Sequence, residues 1–126
     1  MSEERNPLIR TRDDFGRAST RDYPISPVKL TTSAQTALTA GASEVLLVQN
    51  LILSNGTAGA VTATVHVVPS GGSVADGNIV LHALSVPANG QVTIVSAIGV
   101  PPGGTLRALA GADNAIRLSG LAHAIL

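Results

Sequence analysis

Aliphatic side chains recur at every second position through most of this chain, and that period belongs to a β-strand rather than a helix. Val61, Ala63, Val65 and Val67 alternate with Thr62, Thr64 and His66, as in a strand with one face on a core and the other toward water. The run 45–53 carries two phases, Val45, Leu47, Leu51 and Leu53 in one and Leu46, Val48 and Ile52 in the other. Read as one regular strand, it is expected to be covered on both sides. Further strands are expected at 79–86, 91–95, 106–110 and 115–126, with two short candidates at 28–32 and 36–39. Turn formers separate the runs: Asn55-Gly56, Ser70-Gly71-Gly72, Asp76-Gly77-Asn78, Asn89-Gly90, Pro101-Pro102-Gly103-Gly104 and residues 111–114. Glycine supplies positive φ at such points without steric cost, and Asn or Asp tolerates it. About eight short strands at near-regular spacing predict an all-β, antiparallel β-sandwich of jelly-roll or Ig-like type.

Charge is distributed very unevenly along this pattern. Residues 1–30 hold six of the eight basic residues and five of the eight acidic ones, whereas residues 31–126 carry only Glu44, Asp76, Arg107, Asp113 and Arg117. Five charges on 96 residues fall far below the roughly 25% of an average globular domain. Phe15 and Tyr23, the chain's aromatic residues, lie in the first zone with Pro7, Pro24 and Pro27, and the prolines discourage helix and regular sheet there. Residues 1–27 are therefore expected to form an extended N-terminal arm, and 28–126 the sandwich domain. The arm's expected partner-binding points are Leu8, Ile9, Phe15, Tyr23 and Ile25, which would enter apolar grooves. Arg10, Arg12, Arg17 and Arg21 would pair with the partner's surface.

The sparse charge leaves Thr, Ser, Ala, Asn and Gln to fill outward strand positions, a surface that resists association poorly. Self-assembly as a homo-oligomer is thus expected, and threefold or other cyclic packing would also cover exposed sheet edges. Length and composition narrow the remaining classes. A chain of 126 residues suits one domain that buries roughly two-thirds of its unfolded surface. Zero net charge removes any global attraction to nucleic acid or an anionic membrane. No stretch approaches the roughly 20 apolar residues of a membrane span, and residues 1–10 contain no apolar run of signal-peptide length. With no Trp and no aromatic after Tyr23, stacking platforms for sugars or single-stranded nucleic acid are missing.

Chemistry is sought among few groups. The absence of cysteine excludes disulfides, thiolate nucleophiles and cysteine-ligated zinc. His66, His82 and His123 fall in expected strands, and their spacing does not require a shared metal, so they are read as separate surface or core histidines. A nucleophilic triad would have to draw on Glu44, Asp76 or Asp113, of which the two aspartates stand in turns where Asp bonds its own backbone. Gly71-Gly72 and Gly103-Gly104 lack the lysine and following helix of a phosphate loop. No catalytic, cofactor-binding or metal residues are therefore assigned, and the chain is expected not to be an enzyme.

From about residue 38 to the end, the order of elements resembles small β-sandwich proteins of tailed bacteriophage virions. The resemblance rests on the apolar run ending Leu53-Ser54-Asn55, on Val61 to Pro69 followed by Ser70-Gly71-Gly72, and on Asp76-Gly77-Asn78 before a strand. It continues in the Ala88-Asn89-Gly90 turn and in Pro102-Gly103-Gly104-Thr105-Leu106-Arg107. An acidic residue common near the last turn is replaced here by glycine. Such proteins serve as capsid decoration or cement subunits, head or collar fibres and minor tail components, often as trimers, and the family implies no catalytic residues. The resemblance implies a virion structural protein assembled in the host cytoplasm, with the major capsid protein or other virion proteins as partners. Alternatives are a neck, collar or tail-fibre subunit and, from another class, a receptor- or glycan-binding module with contacts in the turns near Gly71, Asp76 and Gly103.

Overall fold

The computed structural model describes residues 20–125, and the arm residues Leu8, Ile9, Arg10, Arg12, Phe15 and Arg17 lie outside them. Nine strands follow in order: β1 Thr20–Lys29, β2 Gln35–Thr39, β3 Val45–Asn55, β4 Val61–Val68, β5 Ile79–Val86, β6 Gln91–Ile94, β7 Ile98–Val100, β8 Thr105–Ala110 and β9 Ile116–Ile125. One turn of 3₁₀ helix, Asp76–Asn78, precedes β5. The strands form two antiparallel sheets, β1-β9-β3-β6 with β7 also on β3, and β2-β8-β4-β5. Because β6 and β7 pair with successive parts of β3, they act as one interrupted strand. The arrangement is then two four-stranded layers with jelly-roll strand order.

The core is aliphatic throughout. Leu46, Val48, Leu51, Leu53, Ile116, Leu118 and Val100 face inward from the first sheet, and Leu106, Val65 and Val86 from the second, all fully buried. Each such side chain contributes about 1.5–3 kcal/mol by leaving water. Buried alanines at 63, 108, 110, 122 and 124 take the narrow places between them, and Tyr23 packs partly buried against this core.

Three expectations need correction. First, residues 20–27, expected in the arm, belong to the sandwich, because 20–29 is a strand paired with β9. Prolines at 24 and 27 do not prevent this. β1 is the sheet's edge, and its register shifts between Ile25 and Val28, the two settings in which a strand tolerates proline. Second, among the described residues β3 is covered on one side only. Its register slips between Val48 and Asn50, and that bulge moves the inward set from Leu46 and Val48 to Leu51 and Leu53. Third, the short strand Ile98–Val100 was not expected; three residues are too few to display a period.

Gly120 on β9 lies where both neighbouring strands bulge, opposite Ile25 of β1 and Leu51 of β3. A Cβ there would sit 2.2 Å from the Asn50 carbonyl oxygen, so the β3 bulge requires glycine at this point. On the second sheet, β5 carries register shifts against β4 and a left-handed Ala83 (φ 48°). These irregularities blunt a free sheet edge against strand addition.

Candidate interaction surface

The arm residues within the described chain belong to the sandwich itself. Ile25 is 4% exposed in the core and Tyr23 packs partly buried against it, so neither is free to enter a groove on another protein. Arg21 also faces inward, where it closes one end of the sandwich with Glu44, which is only 8% exposed. The guanidinium pairs with the Glu44 carboxylate and donates to the Tyr23 hydroxyl at 2.8 Å. Its carbon lies 5.2 Å from the Tyr23 ring centroid, within cation–π range. Gly41 N–H completes the carboxylate's shell at 3.1 Å. A nearly buried carboxylate needs such partners, and here they fasten the first residues of β1 to the loop before β3.

The histidines are placed apart. His66, on the outer side of β4, is 4% exposed. Its Nδ1 lies 2.7 Å from Asn78 Oδ1, which also accepts from Ala75 N–H at 3.2 Å. An amide oxygen only accepts, so His66 carries its proton on Nδ1. His82 is exposed on β5. His123 stands on the outer side of β9, its Nδ1 2.6 Å from Asp22 across the strand pair. Asp113 caps the backbone N–H of Thr32 at 2.8 Å. Among the described residues, no three His, Cys, Asp or Glu side chains gather as a metal site would require.

Depressions among the described residues include an apolar and a polar one. An apolar cleft of about 530 Å³ opens between β5 and the β6–β7 connection, lined by Val67, Val80, Leu81, Ile94 and Ile98. A polar recess of about 460 Å³ lies among Ser54, Asn89, Gln91 and Arg117. Its base is built by the buried Asn55, whose amide donates to Gly59 O at 2.9 Å and Val86 O at 3.1 Å. Its oxygen accepts from the N–H and hydroxyl of Thr57 at 2.9 and 2.7 Å. Every polar atom of this side chain is satisfied, as burial demands.

The outer faces of the two sheets differ in kind. On β2, β4 and β8 the outward positions are Thr36, Thr39, Thr62, Thr64, His66, Thr105 and Arg107, with Val68 and Leu109 the aliphatic exceptions. On β3 and β9 they include Val45, Leu47, Ile52, Leu121 and Ile125, with Val45 and Ile125 each 40% exposed. Val45 pairs with Ile125, Leu47 with His123, Asn50 with Leu121 and Ile52 with Ser119. An aliphatic sheet face with no layer of the described residues over it marks an interaction surface. The off-phase aliphatics of 45–53 were the signal for it in the sequence. They point outward because the core takes only one phase on each side of the bulge.

No family model, characterised protein or solved structure matches this chain.

Proposed function

We propose that this protein is a non-enzymatic structural subunit of a virion, most specifically a capsid decoration or cement protein. In this reading its sandwich self-associates and its first 19 residues dock on the particle. The observation that carries the proposal is the aliphatic outer face of β3 and β9 in a body with five charges after residue 30. A jelly roll of this size offers a rigid block, and jelly rolls recur in viral capsids, which is a fold-level analogy. The resemblance of the turns to small phage sandwich proteins points the same way. Decoration stabilises a shell by mass action, because weak contacts are repeated around a symmetric particle.

The placement of β1 changes what the arm can be. Arg21, Tyr23 and Ile25 hold the fold together, so docking falls to Leu8, Ile9, Arg10, Arg12, Phe15 and Arg17. The test is deletion of residues 1–19, stopping short of β1, in cells that assemble the shell. The truncated protein should fold and self-associate but be lost from purified particles. Normal incorporation of the truncated chain would refute arm docking, and failure of the full chain to copurify with particles would refute the virion role.

A further inference from the structure

Along β1 and β9 the aliphatic face is electrically polar. At one end Lys29 and Arg117 are cross-strand neighbours, both exposed. At the other end Asp22 stands beside His123. Between them the outward pair is Pro24 and Leu121, with Ser119 next to it and Leu47 and Ile52 on the adjoining β3. The two ends are seven residues apart on β1, roughly 20 Å along the strand. Asp22 contacts His123, yet its side chain remains 69% exposed, so the carboxylate has room for a second partner.

We propose that this face binds the same face of a second copy about a two-fold axis running across the strands. That operation lays the Lys29–Arg117 end of one copy over the Asp22 end of the other, and does so twice. The aliphatic side chains Leu47, Ile52 and Leu121 then meet at the centre. A two-fold along the strands, or a head-to-tail arrangement leaving each face open, would forfeit that match. Burying the uncharged centre supplies affinity, while the charged rims select the orientation. The inference rests on the self-association in the proposed function and names its surface and symmetry, with a dimer in place of the expected trimer.

The test uses the full chain in sedimentation equilibrium, with circular dichroism as a check on folding. Asp22→Lys sets Lys29 and Arg117 of one copy against the introduced cation of the other at both ends and should weaken the dimer about tenfold or more. Lys29→Glu with Arg117→Glu should do the same, and the three changes together should restore the wild-type dissociation constant. Leu47→Asp should abolish the dimer, and Ile52→Asn serves the same purpose if that variant does not fold. A chain that associates but ignores the charge reversals and the central substitutions would overturn the face while leaving self-association in place. A trimeric mass would overturn the two-fold. Loss of the dimer on deleting residues 1–19 would put that segment on the sheet instead of a second copy. A monomer at all concentrations would remove the self-association on which the inference stands.

Discussion

Substitution of Gly120 by alanine tests the central irregularity of the first sheet. The backbone there holds φ 158°, which an L side chain rarely adopts, and the Asn50 carbonyl is a second obstacle. The added Cβ would lie 2.2 Å from the Asn50 carbonyl oxygen and 3.1 Å from its carbon. To reach an ordinary contact distance the two strands must part by roughly 1 Å or more. Neither has slack, since Leu51 and Leu118 beside them are fully buried. Overpacking of this kind costs about 1–3 kcal/mol, and each ladder hydrogen bond stretched by the parting adds about 0.5–1.5 kcal/mol. A loss of about 3 kcal/mol or more is therefore expected, which for a body of this size lowers the Tm by roughly 10–20 °C.

Thermal unfolding followed by far-ultraviolet circular dichroism measures the shift, with Gly59→Ala as the reference. A Cβ on Gly59 meets nothing within 4 Å, so that variant should stay within about 0.5 kcal/mol of the parent. Equal stability of the two variants would show that β3 and β9 do not approach as described, and the re-phasing of β3 would lose its support.

Removing the Asn55 side chain by Asn55→Ala should cost about 2–4 kcal/mol, because Val86 O loses its donor at a buried site and the 55–60 turn loses its anchor; denaturant unfolding reads this as a lower midpoint at unchanged m. Ala83→Gly should raise stability by up to about 1 kcal/mol, since alanine holds a left-handed conformation there (φ 48°) that glycine adopts freely, and a lower Tm would contradict it. Glu44→Gln removes the charge that Arg21 pairs with. As Arg21 is more than half exposed, water recovers part of the loss, and the expected cost is about 1 kcal/mol, seen as faster amide exchange in the first residues of β1.

The extents of β4, β5 and β8 were legible in the sequence, within a residue of where alternation and the Asn-Gly or Gly-Gly turns put them, although β5 is itself bulged against β4. The phase changes at bulges were not. In β1 the inward positions Tyr23, Ile25 and Val28 change phase after Ile25, and the extra residue that makes them one strand exists only in its pairing with β9. In β3 two phases of aliphatics look like double coverage, and only the register against β9 separates them. The interaction surface was legible in part for the same reason. Scarcity of charge predicts association, but that Asp22 stands beside His123, and Lys29 beside Arg117, depends on a pairing between the two ends of the described chain.

The bulge in β3 also bears on why the outer face is aliphatic. Without it, continuing the phase of Leu46 and Val48 would turn Asn50 inward and expose Leu51 and Leu53. With it, both leucines reach the core and Asn50 and Ile52 face out. Each half of β3 thus fills the core with one set of side chains, and Val45, Leu47 and Ile52 contribute little to packing between the sheets. The same chain places threonine at the outward positions of β2, β4 and β8, where a strand needs only to stay hydrated while keeping its conformational preference. Two outer faces of one sandwich therefore follow different rules. A water-facing role explains threonine on the second sheet, whereas leucine and isoleucine on the first gain their free energy only when another surface removes them from water.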